Sequence, residues 1–247
     1  MSGQNIYDNE IFFAGYQAIR KREVNANDLF ETPFFMALMP ELAGAAVLDL
    51  GCGAGGHCAG FVRRGARRVL GIDISEKMLD AAKRENSHPR IEYRRMPMEE
   101  IGALDERFDV VASSLAIHYV ADYDALVRRV YDLLKPGGVF VFSQEHPLST
   151  CFSGGARWTK DENGEKLYAN ISNYSVDGER ESRWFVDGVQ KYHRTFSTVV
   201  NELIGAGFAI ERMLAPTPDE AMLKAHPEYR DLLHKPDFLL IRARVCF

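Results

Sequence analysis

Apolar positions fill nearly all of AAVLDL (45–50), the pattern of a parallel strand covered on both faces. RRVLGID (67–73) repeats it after a segment long enough for a crossover helix, so the pair reads as a βαβ unit. RIEYRRM (90–96), FDVVASS (108–114) and GGVFVFSQ (137–144) predict three more strands. Between strands the period lengthens. SEKMLDAAKRE (75–85) opens on Ser75 as N-cap and puts Met78 and Ala82 on one face, while DYDALVRRVYDLL (122–134) aligns Leu126, Val130, Leu133 and Leu134. Thr32 reads as the N-cap of a short helix over 33–39, with Pro33 where its missing N–H costs nothing. KPGG (135–138) stops the helix before the fifth strand.

After Glu145 the rhythm breaks. From His146 to Lys191 the chain is rich in Gly, Ser, Asn and charge, with short β-prone runs, glycines at expected turns (Gly164, Gly178, Gly188) and, through Tyr192, too many aromatics for a solvated linker, which marks out 146–194. This segment is expected to be an inserted cap facing the substrate, on a core of 1–145 and 195–247 with an N-terminal helical cover. FSTVVNELIGAGF (196–208) resumes the helical period, and FAIERMLAP and DFLLIRARV supply two final strands around a polar helical segment (218–234). Strands alternating with helices predict a doubly wound α/β sheet with its ligand site at the carboxyl ends of the strands.

Composition narrows the function. With 46% apolar and 26% charged residues the 247-residue chain is ordinary globular protein, and its net charge of −5 argues against a nucleic-acid partner. MSGQNIYDNEIFF lacks the pattern of a secretory signal, and no apolar run approaches the roughly 20 residues of a membrane span. A soluble, cytoplasmic monomer or homodimer without membrane partners is expected. Cys52, Cys58, Cys151 and Cys246 form no C-x-x-C pair and read as reduced thiols. No metal-ligand set emerges either, since His226 and His234 lack a third ligand at helical spacing.

VLDLGCGAGG (47–56) carries the candidate chemistry. Gly51, Gly53 and Gly56 spell G-x-G-x-x-G, a dinucleotide pattern, while Asp49, Gly51, Gly53 and Gly55 spell D-x-G-x-G-x-G. Either way the loop brings backbone N–H groups close to a nucleotide-like ligand. Asp49 is awkward beside a pyrophosphate but suits a cationic ligand.

In this motif, and in GID ending at Asp73, FDVVASSLAIHYV, LLKPGGVFVF and GAGF (205–208), taken in order, the chain resembles the class I S-adenosylmethionine-dependent methyltransferases of the methyltransferase type 11 group. The resemblance implies a Rossmann-like seven-stranded, mostly parallel sheet whose last strand is antiparallel, with S-adenosylmethionine as methyl donor. It also implies that Asp49, Gly51, Cys52 and Gly53 form the donor loop, that Asp73 holds the ribose with Ile74 and Met78 beside it, and that Ser114 and Leu115 line the pocket. Met98 and Glu99 fall where many relatives place an acid at the adenine. Tyr16 and Arg20, four apart on one helical face, suit the carboxylate of the donor.

His118 lies past the fourth strand, where an imidazole could act as general base, with Tyr119 as a wall. His146 and His193, where the cap leaves and rejoins the core, are candidate substrate contacts, and Trp184 a shield against water. The expected reaction is in-line transfer of a methyl group to a small-molecule acceptor. An NAD-linked oxidoreductase or a non-catalytic S-adenosylmethionine-binding module would use the same loop.

Overall fold

The computed structural model describes residues 4–20 and 24–246. The chain starts with a helical turn at Ile6–Asp8 and helix α1 (Glu10–Arg20), and a wide turn at Asn27–Glu31 leads into α2 (Thr32–Leu38). Then β1 (Ala46–Leu50), α3 (Gly56–Arg63), β2 (Arg68–Asp73), α4 (Glu76–Glu85), β3 (Ile91–Arg95), β4 (Phe108–Ser113), α5 (Tyr123–Leu133) and β5 (Leu134–Glu145) follow. Next come α6 (Pro147–Thr150), β6 (Trp158–Lys160), β7 (Lys166–Ala169), β8 (Gly178–Trp184) and β9 (Val186–His193). The chain ends with α7 (Phe196–Gly205), β10 (Phe208–Leu214), α8 (Glu220–Ala225) and β11 (Phe238–Val245).

Seven strands form one sheet in the order β10-β11-β5-β4-β1-β2-β3. β1 runs parallel to β2 and β4, whereas β11 is antiparallel to β5 and β10. Because successive strands leave β1 in opposite directions, a crevice opens beyond the carboxyl ends of β1 and β4. The alternation of strand side chains makes two cores. Leu48, Leu50, Leu70 and Ile72 pack with α5 and α7 through Leu126, Val130, Val199 and Leu203. Val47, Val69, Val110 and Val141 pack on the other face with Phe35 of α2 and Phe61 of α3.

Residues 147–193 join none of this sheet and pair among themselves as two hairpins, β6–β7 and β8–β9. The second hairpin turns at Phe185, held at φ +61°, and Gly188 lies inside β9 instead of at the turn. The Phe185 ring stacks on Trp184 and fills the space over Gly15 of α1, where a Cβ would lie 2.5 Å from the ring. That anchorage, made far away in the chain, decides where the hairpin turns.

Two local expectations are corrected. Thr32 does not cap α2, since the preceding turn delivers the chain already helical and the Thr32 hydroxyl donates to Glu31 instead. Leu134 leaves the helical face to begin β5, pairing with Phe108 of β4. Ser75 does cap α4, its hydroxyl accepting the Met78 amide at 3.1 Å.

Candidate functional site

The glycine loop leaves β1 with Gly51, Gly53 and Gly55 at φ +66°, +54° and +78°, a region that excludes most side chains. The three differ in what surrounds them. A Cβ on Gly51 would sit 2.5 Å from Ala116 Cβ, and one on Gly55 2.2 Å from the Tyr93 hydroxyl, so the protein's own packing demands both glycines. At Gly53 a Cβ would meet only the end of Met78 at 3.6 Å. The Gly53 amide donates to Asp73 Oδ2 at 2.9 Å and the Ser75 amide to Oδ1 at 2.8 Å, so Asp73 ties the loop to the end of β2. Burial lifts the Asp73 carboxyl to about 6. Asp49 is buried deeper, accepts the Cys58 thiol at 3.2 Å, and is pushed by burial to about 7.

The N-terminal segment covers this loop. Asp8 accepts the Ser75 hydroxyl at 2.6 Å and the Lys77 amide at 3.1 Å, placing a carboxylate at the first turn of α4, where the helix dipole favours it. Burial pushes the Asp8 carboxyl up, but these hydrogen bonds outweigh it and its net shift is downward. Tyr16 packs edge-on against Tyr7 and Trp184, and Arg20 lies 3.6 Å from Asp28. From the turn before α2, Glu31 reaches the far ends of β4 and β5. Its Oε1 accepts the Ser114 hydroxyl at 2.8 Å and the Ser143 hydroxyl at 2.6 Å. Leu115, at φ +51°, donates its amide to the Ser143 hydroxyl at 3.0 Å.

At the other end stands a polar group the sequence reading only half anticipated. His118 is buried, its Nδ1 accepting the Glu145 amide at 3.5 Å and its Nε2 lying 4.0 Å from Glu145 Oε1. Lys191 of β9 donates to the same Glu145 oxygen and lies 5.3 Å from the centre of the Trp184 ring. Burial draws His118 down to about 4. Burial pushes the Glu145 carboxyl up, but the Lys191 ammonium and His118 outweigh it and its net shift is downward.

One cavity of about 1360 Å³ joins both ends. It brings together Tyr16, Arg20, Asp49, Gly51, Cys52, Gly53, Asp73, Ile74, Met78, Met98, Glu99, Ser114, Leu115, His118, Tyr119 and Trp184. Glu31, Glu145 and Lys191 join them from outside any recognised pattern. Two signals could have marked the carboxylates: Glu31 is an acid inside the apolar run LFETPFF, and Glu145 ends a strand where α/β sites lie.

His146 and His193, expected as substrate contacts, are not among the residues lining the cavity. His146 caps α6 by accepting the Leu148 amide at 3.2 Å, and burial holds it near 4. His193 is fully buried between the Thr150 hydroxyl and the Tyr174 carbonyl oxygen, each 2.8 Å from a ring nitrogen. Junction positions placed both rings in the seam, where packing engaged both nitrogens of His193 and Nδ1 of the half-buried His146. Among the described residues no group of three or more His, Cys, Asp or Glu could hold a metal ion, and no helix is long and apolar enough to cross a membrane.

Comparison with known proteins agrees with this layout. The methyltransferase domain family matches residues 48–142. The crystal structure of an S-adenosylmethionine-dependent methyltransferase from Mesorhizobium loti is 41% identical and superposes with a TM-score of 0.80, covering 87% of this chain and 97% of that one. A Listeria monocytogenes protein provisionally identified as such a methyltransferase is 39% identical, also with a TM-score of 0.80, over 87% and 96% of the two chains. A Haemophilus influenzae protein of uncharacterized function is 38% identical over 250 residues, or 97% of this chain and 96% of its own.

Proposed function

The chain belongs to the class I S-adenosylmethionine-dependent methyltransferases, and on that premise we propose that it methylates a small-molecule acceptor lodged between the ends of β4 and β5 and residues 146–194. The glycine loop therefore serves S-adenosylmethionine and not a dinucleotide. The continuous cavity from Gly53 to the Glu145–Lys191 pair carries the proposal, because it offers one chamber with two chemically distinct ends.

The residues present fit the methyl donor. Asp73 offers a carboxylate to ribose hydroxyls while the Gly53 amide holds it in place. Ile74, Met78 and Met98 supply apolar and thioether surface for the adenine, with Glu99 at its rim. Arg20, oriented by Asp28, and the Tyr16 hydroxyl receive the donor's carboxylate. Glu31, which accepts three hydroxyls, gives the cavity wall a carboxylate suited to a cationic ligand, and Asp49, pushed by burial to about 7, can ionise beside one. When bound, the sulfonium supplies a methyl carbon already activated by positive charge.

The protein's remaining work is alignment and exclusion of water. Trp184 and Tyr119 wall the acceptor end, residues 146–194 act as its cap, and Leu115 forms the floor between the two ends. His118 acts as a neutral hydrogen-bonding group. Its value near 4 makes it a weak base at neutral pH, and Glu145 is likewise held low by Lys191. The acceptor accordingly reacts as a free base, or as an anion held by Lys191.

Calorimetric titration with S-adenosylmethionine, S-adenosylhomocysteine and NAD tests the ligand, and release of S-adenosylhomocysteine across a panel of phenols, amines, thiols and carboxylic acids tests turnover. Binding of NAD alone would overturn the reading. Binding of the methyl donor without turnover of any small acceptor, but with methylation of a protein or nucleic acid, would overturn the acceptor class.

A further inference from the structure

Glu31 is 1% exposed yet forms part of the cavity wall, and two of its three hydroxyl partners are 83 and 112 residues away in the chain. The hydrogen bonds around it all point inward. Leu115 N–H donates to the Ser143 hydroxyl, Ser143 donates to Glu31 Oε1, Ser114 donates to the same oxygen, and Thr32 donates to Oε2 at 3.0 Å. Such a one-way relay needs an acceptor-only group at its end, which a carboxylate is. The relay starts at the amide of Leu115, a branched residue in the left-handed region, where surrounding structure must hold the backbone. Nearby, the His57 imidazole is kept below its ordinary value by burial, so it does not neutralise Glu31. Arg20 pairs with Asp28, and Asp49 adds a second buried acid.

We propose that Glu31 is a positioning and specificity-determining residue: it fixes the Ser114–Leu115 floor and gives the cavity a preference for the cationic sulfonium donor over its neutral thioether product. The inference rests on the reading that the methyl donor lies along this wall. The physical reason is that a buried carboxylate is screened weakly, so its field reaches a charge it does not touch. Donor and product differ only in one methyl group and one positive charge. The ratio of their dissociation constants therefore isolates the effect of that charge from every shared contact.

The experiment is calorimetric titration of the full chain with S-adenosylmethionine and with S-adenosylhomocysteine, in wild type, Glu31→Gln and Ser143→Ala. Glu31→Gln should weaken binding of the donor about tenfold more than binding of the product, the scale of one charge at several ångströms in partly desolvated surroundings. Ser143→Ala keeps the charge and removes only the hydroxyl link of the relay, since the Leu115 amide also donates to the Ser143 carbonyl oxygen at 3.1 Å, so any weakening should be the same for both ligands and the ratio should hold. An unchanged ratio in Glu31→Gln, or an equal change in both variants, overturns the proposal. If Glu31→Gln does not fold, Glu31→Asp, which withdraws the charge by one methylene, should move the ratio in the same direction by less, and no movement overturns the proposal. Wild type that binds neither ligand would instead remove the reading of the cavity as the methyl-donor site.

Discussion

The Gly53 amide donates to the Asp73 carboxylate across 2.9 Å, so the turn of the glycine loop is pinned to the end of the neighbouring strand. Removing the carboxylate costs both that tether and any ribose contact. Asp73→Ala should weaken binding of the methyl donor by about 10- to 100-fold, given that a hydrogen bond to a charged group contributes about 1.5–3 kcal/mol. Asp73→Asn, which can still accept the amide, should lose less. Titration calorimetry reads both, and unchanged affinity in Asp73→Ala would place the ribose elsewhere.

Asp49 and Asp73 make stability and ligand binding depend on pH. Their folded values, about 7 and about 6, lie above the ordinary carboxyl value because burial disfavours the charged form. Between the ordinary and the raised value the native chain holds more protons than the unfolded chain, so their contribution to stability falls as pH rises. The depressed histidines His118 and His146 act oppositely below about pH 6.5, where the unfolded chain takes up the extra proton. A difference measurement removes them. Asp49→Asn should gain stability relative to wild type as pH rises from 5 toward the folded Asp49 value of about 7, by roughly 1.4 kcal/mol for each pH unit in that window, and level off above it, read as urea midpoints. Binding of the cationic donor should favour the ionised carboxylates, tighten from pH 6 to 8 and release protons. Calorimetry in buffers of different ionisation enthalpy would show that release, and a pH-independent affinity would contradict it.

Glycines of one motif should not respond alike. Gly51→Ala combines φ +66° with a Cβ 2.5 Å from Ala116 Cβ, so it should cost at least about 2 kcal/mol and abolish donor binding. Gly56 has no heavy atom within 4 Å of a built Cβ and opens α3. Gly56→Ala should therefore keep its stability, within about 1 kcal/mol of wild type and on the stabilising side. Denaturant midpoints of the two variants compare directly.

Lys191 should separate the two ends of the cavity. Lys191→Met removes the ammonium that holds Glu145 while leaving the glycine loop intact. Affinity for the methyl donor should stay within about twofold, whereas turnover of an identified acceptor should fall more than about tenfold, the least expected from losing a buried charge partner. The same geometry predicts a wild-type rate profile without a His118 inflection between pH 6 and 8, because that ring titrates near 4. A His118-dependent inflection near 6.5 would restore the imidazole as a base.

The strands, the helix cap at Ser75 and the glycine loop were legible in the sequence because their causes are local. Parallel strands buried on both faces must be apolar throughout, a cap acts within one turn, and a loop at positive φ selects glycine. Of the expected set, the residues from Tyr16 to Tyr119 and Trp184 meet at one cavity, since doubly wound topology converges on the carboxyl ends of β1 and β4. Other outcomes had no local cause. Glu31 found its partners across the sheet, Glu145 met a lysine from β9, and Phe185 took the hairpin turn because Gly15 of α1 left room for its ring. His146 and His193 look as available in sequence as His118, yet Nδ1 of His146 went to an α6 amide and both nitrogens of His193 to a hydroxyl and a carbonyl in the seam. Residue type and spacing determined which chemistry the chain could hold, and the tertiary packing decided which side chains were left to use it, because a buried polar group must first satisfy whatever lies against it.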